Sequence, residues 1–332
     1  MNCALFGGSG FIGQHFAKFL LEGGFADKVF LVDLKPPVGL ILGDLYQKCL
    51  FVEQDLRKPI KPEPLPQQCA LICNFAAVHR EPGHEPAEYY ETNIAGAENV
   101  CAWAEHVGCN QILFTSSIAP YGPSEVEKDE RALTAPVSAY GGSKLVAEKI
   151  HQLWRAKEPA RRKLAIVRPG VVFGPYEGGN VSRLIKSVLG RYMVYTGNRE
   201  VRKAGIYVKE LSRIFAWALS RNRKGEPEIL LNATMNPGPS VEEYVEAICE
   251  VAGVKRWIPT VPFGLLYAAG AVIEVGAGLV RRETPINRVR LNKLVRANNI
   301  KPGYLIANGY KYQYNLTKAM ADWQKDAPEE WQ

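Results

Sequence analysis

Tyr140 and Lys144 stand four residues apart near the start of a segment with helical character, Ser138 to Lys157, so one face of that helix carries both side chains. Upstream, Ser117 follows the apolar run Gln111-Ile112-Leu113-Phe114-Thr115, which reads as a buried strand. A serine, a tyrosine and a lysine brought together suit proton transfer at a carbinol or keto carbon. A phenol has a reference pKa of about 10 and is a poor base at neutral pH, but a neighbouring ammonium favours its ionised form. The serine hydroxyl would hold the reacting oxygen while the tyrosine takes or gives its proton. A Y-x-x-x-K pair is common by chance, so the reading depends on the elements around it.

Those elements begin at the N-terminus. Asn2-Cys3-Ala4-Leu5-Phe6 is an apolar run of strand type that empties into Gly7-Gly8-Ser9-Gly10-Phe11-Ile12-Gly13 and a helical segment, Gln14 to Leu21. Strand, glycine turn and helix let a dinucleotide pyrophosphate meet bare backbone N–H groups at a helix N-terminus, where the dipole favours negative charge. Glycines also close ordinary tight turns, so the context decides. About twenty residues on, Lys28 to Asp33 reads as a second strand ending in an acid, the position that hydrogen-bonds a ribose 2′-hydroxyl in such folds. Asp33 would repel a 2′-phosphate, which favours NAD over NADP, although Lys35 is close by. With NAD bound, hydride would move between the nicotinamide and the carbinol carbon. Lys144 would also bond the nicotinamide ribose.

The rest of the chain supplies strands and helices in alternation. Leu50 to Glu53 reads as a third strand, Ala70 to Phe75 as a fourth, Gln111 to Thr115 as a fifth and Leu164 to Val167 as a sixth. Glu85 to Val107 shows helical periodicity in Tyr90, Ile94, Ala97, Val100 and Trp103, and Ser138 is placed to cap the helix that follows it. The pattern predicts an α/β fold, a Rossmann-type doubly wound parallel sheet, with a smaller mixed α/β lobe at the C-terminus. The expected division is 1–170 for the dinucleotide-binding domain and 171–332 mainly for the substrate lobe, with segments around 203–235 returning to the first. Helices are expected at Val181 to Leu189, Leu211 to Leu219 and Val241 to Ala252, and Ile229 to Asn232 is expected to rejoin the sheet. Ligands of such sheets sit outside the carboxyl ends of the strands, where Gly7, Asp33, Asp55, Phe75 and Ser117 fall.

Composition narrows the classes. Over 332 residues, 41 Lys and Arg face 34 Asp and Glu, an excess that suits an anionic small substrate, and no basic, aromatic-interleaved stripe calls for nucleic acid. Seven cysteines, with no C-x-x-C pair, point to free thiols in a reducing compartment and argue against a metal site. The chain enters its first strand at once, so no leader peptide is expected and the expected location is cytoplasmic. The least polar stretch, Trp257 to Ile273, holds two prolines and stops at Glu274, short of a membrane span; it reads as a core helix or lobe wall, with peripheral membrane contact left open.

Taken in order, Gly7–Gly13, Asp33, Asp55-Leu56, Asn74-Phe75-Ala76-Ala77, Asn93, Ser116-Ser117 before Tyr121-Gly122, Tyr140 to Lys144 and Arg168-Pro169 resemble the extended short-chain dehydrogenases/reductases, the NAD-dependent epimerase/dehydratase family with UDP-galactose 4-epimerase-like members. The resemblance covers nearly the whole chain. It implies Ser117, Tyr140 and Lys144 as catalytic residues, with Ser117 preferred to Ser116 because it lies four residues before Tyr121. It implies a cofactor site of Gly7, Gly10, Phe11, Ile12, Gly13, Asp33, Asp55, Leu56, Phe75, Ala76, Ala77, Asn93, Tyr140, Lys144 and Pro169. Bland readings stand beside some of these: Asp55 capping a turn, Asn93 as a structural helix residue, Ser116 bonding the backbone.

Gly190 to Asn198 and Gly205 to Leu211 resemble the segment that runs under the sugar in nucleotide-sugar members. This implies a nucleotide-sugar substrate touched by His79, Ser117, Tyr140, Asn180 and Lys203, where His79 reads equally as a surface histidine. Lys203 stands where the family has an arginine for the diphosphate, and Tyr207 where it has a histidine. Lysine binds phosphate without the bidentate fork. Ile118-Ala119 lack the acids of the dehydratases. The resemblance implies a homodimer paired through the Glu85–Val107 and Ser138–Lys157 helices, and an epimerase first, with a nucleotide-sugar ketoreductase or dehydrogenase and a 3β-hydroxysteroid-like alcohol dehydrogenase as alternatives. A cofactor-sensing regulator without chemistry is the non-enzymatic rival; it has no use for the Ser117, Tyr140 and Lys144 set.

Overall fold

The computed structural model of the protein describes residues 1–38, 40–81, 83–265, 267 and 296–332. Seven parallel strands make the central sheet: β1 (Asn2–Phe6), β2 (Lys28–Asp33), β3 (Cys49–Glu53), β4 (Leu71–Asn74), β5 (Gln111–Thr115), β6 (Lys163–Pro169) and β7 (Glu228–Ala233). Their order is β3-β2-β1-β4-β5-β6-β7. The order reverses at β1, where a Rossmann-type sheet opens its ligand crevice. Phe6 pairs with Val32 on one side and Asn74 on the other, and Asn74 with Phe114, so the carboxyl ends of these strands finish level. The loops that follow them therefore meet over one edge.

Alternate strand residues point to opposite faces, and each face has its own core. Leu5, Leu31, Cys73, Leu113 and Val167 face Phe16 and Phe215 from helices α1 (Phe11–Glu22) and α5 (Val208–Arg223). Phe6, Val32, Ile72, Phe114 and Ile166 face Trp103 and Trp154 from α2 (Pro86–His106) and α3 (Ala139–Lys157). Strands buried on both faces read as continuous apolar runs, which is why they are visible in the sequence. The helices α4 (Asn180–Leu189) and α6 (Val241–Val251) complete the second half with a helix at Leu316–Asp326 that Asn315 caps.

The helix boundaries differ from the sequence reading at α1, which already starts at Phe11, and at α5, which outruns Leu211–Leu219 at both ends. Trp103 is a correction of a different kind. It shares the periodic stripe of Tyr90 on α2, the helix used by the expected dimer, but it is buried, with its ring edge-on to Phe6 at 5.4 Å. Helical spacing alone does not separate the core-facing stripe from the one beside it. The apolar stretch Pro262 to Leu279 and the pair Arg281-Arg282 fall largely in 268–295, outside the described residues.

Candidate active site

The loop after β1 is built by what glycine omits. Gly7 has φ 77°, and a Cβ there would lie 2.5 Å from the Ala76 nitrogen. A Cβ on Gly13 would lie 2.5 Å from the Gly7 carbonyl oxygen. Gly10 forms the N-cap of α1, which no side chain caps among the described residues, so its first N–H groups are left for a ligand. The Ser9 hydroxyl and the Gln14 Oε1 are buried without partners among the described residues. The Ser9 hydroxyl, an unpartnered donor beside an uncapped helix N-terminus, fits a diphosphate, and Gly7, Gly10, Phe11, Ile12 and Gly13 line that cradle.

Asp33 closes the far side. Its carboxylate accepts from the Ser9 N–H at 3.2 Å and the Leu34 N–H at 2.8 Å. Burial raises its pKa, and the two backbone bonds oppose that. Asp55 forms an ion pair with Arg57 at 2.8 Å and accepts the Arg57 N–H at 3.0 Å, so its carboxylate caps its own turn. The Leu56 side chain is buried in the α2/α3-side core, and its carbonyl accepts from Asn99. Phe75 stacks on Phe215 at 5.6 Å, carrying Ala76 and Ala77 past Gly7.

Asn93 is buried and takes three bonds within the protein: from the Val78 N–H at 2.8 Å, to the Val78 carbonyl at 3.1 Å and to the Ser143 hydroxyl at 2.9 Å. It fastens the Ala76-Ala77-Val78 loop to α2 and α3. The Pro169 carbonyl accepts the Ile118 N–H at 3.1 Å, joining the ends of β5 and β6 just past the serines.

Ser138 caps α3 by accepting the Gly141 N–H at 3.2 Å, which sets the helix so that Tyr140 and Lys144 face the strand ends. The Ser117 hydroxyl accepts the Ala119 N–H at 3.1 Å and lies close enough to the Tyr140 phenol to act on its proton affinity. Desolvation pushes the Tyr140 phenol up to about 12, against the polar influence of the Ser117 hydroxyl. This departs from the expectation that Lys144 would lower it: loss of water around the phenol oxygen outweighs its polar contacts. Lys144 is buried with Nζ 4.5 Å above the Phe114 ring, and burial lowers its pKa to about 7, against the pull of Glu148.

The remaining candidates lie further out. His79 is exposed on the loop after β4, near enough that the charge of Lys144 acts on its imidazole. Lys203 is half-buried and donates to the Arg296 carbonyl at 2.6 Å; burial lowers its pKa to about 8, with Glu125 opposing. Asn180 is exposed at the first turn of α4 and accepts from Arg183 at 2.7 Å. Tyr207 is buried and donates to Asp322 at 2.5 Å, so it serves the packing of the C-terminal helix.

Sequence reasoning missed the layer beneath. Glu148 accepts the Ser116 hydroxyl at 2.5 Å and a two-pronged bond from Arg168 at 2.8 and 2.6 Å. The Arg168 guanidinium lies 4.7 Å over the Tyr121 ring, whose hydroxyl donates to Asn232 at 2.9 Å. A signal existed: Glu148 is four residues beyond Lys144, on the same buried helix face.

A glycine cradle at the switch point of a parallel sheet, with serine, tyrosine and lysine converging beside it, defines an enzyme of the extended short-chain dehydrogenase/reductase type. The model of the NAD dependent epimerase/dehydratase family matches residues 3–233, so the chain belongs to that family, and NAD is its cofactor. It is similar to the N-acetyl-alpha-D-glucosaminyl-diphospho-ditrans,octacis-undecaprenol 4-epimerase of Escherichia coli O157:H7, at 27% identity over 246 residues, 74% of each chain. It is also similar to the UDP-glucose 4-epimerase of Azospirillum brasilense, at 28% over 279 residues, 74% of this chain and 76% of that one. Among solved structures, the UDP-glucuronic acid 4-epimerase from Bacillus cereus in complex with NAD shares the fold over 100% of both chains, with TM-score 0.74 and 18% identity. No helix among the described residues is long and apolar enough to cross a membrane.

Proposed function

We propose that the chain is an NAD-dependent epimerase that inverts a hydroxyl-bearing carbon of a nucleotide sugar through a transient keto intermediate. The observation that carries the reading is the convergence of Ser117, the Tyr140 phenol and the buried ammonium of Lys144 next to the glycine cradle. Both relatives are 4-epimerases of diphosphate-linked sugars, one carried on a polyprenol and one on a nucleotide, which supports a sugar diphosphate; the UDP-glucose 4-epimerase supports the nucleotide.

In this reading Gly7, Gly10 and Gly13 admit the diphosphate of NAD, Asp33 holds the adenosine ribose, and Lys144 holds the nicotinamide ribose. NAD supplies the acceptor and donor of hydride. Ser117 donates to the substrate oxygen. Tyr140 takes the carbinol proton as the C–H bond breaks and returns it when hydride is restored on the opposite face of the ketone. The phenol's high pKa in the protein alone makes Tyr140 a proton donor at rest, so its base strength depends on the positive charge that oxidised NAD brings. Lys203 would meet the sugar diphosphate, and His79 and Asn180 would face the substrate.

The proposal includes the division at residue 170, with the second half covering the sugar, and a homodimer. Tyr90 on α2 and Val146 and Leu153 on α3 are exposed apolar side chains on the two helices, and Val146 and Leu153 are seven residues apart on one helix stripe. The test of the reaction is incubation with sugar nucleotides, following epimers by chromatography and nicotinamide absorbance together. Interconversion with no net absorbance change is expected; stoichiometric NADH production or consumption would replace the epimerase with a dehydrogenase or reductase.

A further inference from the structure

We propose that the protein docks on anionic membrane surfaces through a cluster of cations and aromatics at the end of α4 and the start of the segment before Thr260. This goes beyond the epimerase reading and does not depend on it. Arg191, Tyr192, Lys255, Arg256 and Trp257 line one cleft of about 420 Å³. Trp257 is 86% exposed and Tyr192 66%. None of the three cations pairs with a carboxylate among the described residues. Arg191 holds φ 62°, the left-handed conformation that glycine adopts without strain.

Indole and phenol rings with an apolar body and a polar edge settle at the level of lipid headgroups, and neighbouring Lys and Arg side chains are drawn to the negative surface potential of anionic lipids. The charge of the whole chain agrees. Residues 171–332 hold 23 Lys and Arg against 15 Asp and Glu, whereas 1–170 hold 18 against 19, so the cationic excess lies entirely in the half that carries this cluster. A bilayer meets that half with complementary charge.

The test is co-sedimentation of the full chain with vesicles of phosphatidylglycerol and phosphatidylcholine, against phosphatidylcholine alone, at low and high salt. Binding to the anionic vesicles that salt weakens is expected. The triple charge reversal R191E/K255E/R256E should cut partitioning by about 10²-fold, and Trp257→Ala by less, with melting temperature and NAD binding unchanged. NAD binding reads a different part of the fold, so its retention separates lost docking from lost folding. Equal partitioning to both vesicle types, no partitioning, or full partitioning by the triple variant would overturn the proposal. So would a change of oligomeric state in Trp257→Ala, which would make the patch an interface between copies.

Discussion

Glu148 accepts the hydroxyl of Ser116 at 2.5 Å, tying the helix that carries Tyr140 and Lys144 to the strand end from which Ser117 projects. The same carboxylate holds Arg168 on the neighbouring strand. One buried acid therefore ties together three elements, two of which carry Ser117, Tyr140 and Lys144.

Removing that acid should be severe. Glu148→Leu leaves Arg168, only 4% exposed, as an unpaired buried charge, a loss of about 3–5 kcal/mol by denaturant unfolding. Ser116→Ala deletes one hydrogen bond to a charged group and should cost about 1.5–3 kcal/mol. Equal stability of Glu148→Leu and wild type would show that the pair adds nothing.

Tyr140→Phe should retain NAD affinity and the fold while lowering turnover by about 10²-fold or more, the usual worth of a positioned acid/base. Steady-state rates with cofactor titration decide it. Near-full turnover would move the proton chemistry to another residue.

The ammonium of Lys144 has its pKa lowered from 10.5 to about 7 by burial. Between those values the unfolded chain binds a proton that the folded chain has released, so this group makes stability rise with pH, by up to about 1.4 kcal/mol per unit. Below about pH 7 both states are protonated and its penalty is full and constant. Lys144→Met should therefore be more stable than wild type at pH 7 in the absence of cofactor, with the difference closing as pH approaches 10. A difference that stays flat across pH 7–10 would show that the ammonium is not desolvated. The same variant should bind NAD more weakly.

Asp33→Ala should weaken NAD by about tenfold or more through lost bonds to a charged acceptor, and narrow the preference over NADP. Calorimetric titration of both cofactors measures this. Tighter binding of NADP by the unaltered protein would reverse the assignment.

Leu153→Glu places a charge on the proposed paired face of α3. Light scattering at micromolar concentration should show the dimer giving way to monomer. A wild-type monomer would remove the dimer from the proposal.

Strands and helices of the N-terminal half were legible because each strand is apolar on both faces and each helix carries a stripe. The short pair Ser124–Lys128 and Asn298–Ile300 was not legible: Ser-Glu-Val-Glu-Lys reads as a charged loop, and its partner lies some 170 residues away. Tyr140 and Lys144 were legible as a pair because helical spacing fixes their common face. Their proton affinities were not, since these follow from burial that no local pattern encodes. Of the two adjacent serines, the spacing before Tyr121 favours Ser117, and in the structure Ser116 is engaged by Glu148.

The sheet order also has a consequence for synthesis. The partner of β6 on one side, β5, precedes it in the chain, but the partner of its other edge, β7 (Glu228–Ala233), is made about sixty residues later. Until those residues leave the ribosome, Leu164-Ala165-Ile166-Val167 offers an unpaired, apolar row of N–H and C=O groups, a template for strands of other chains. The nascent chain is thus open to misassociation over that interval, and any truncation ending between residues 170 and 227 keeps the open edge for good.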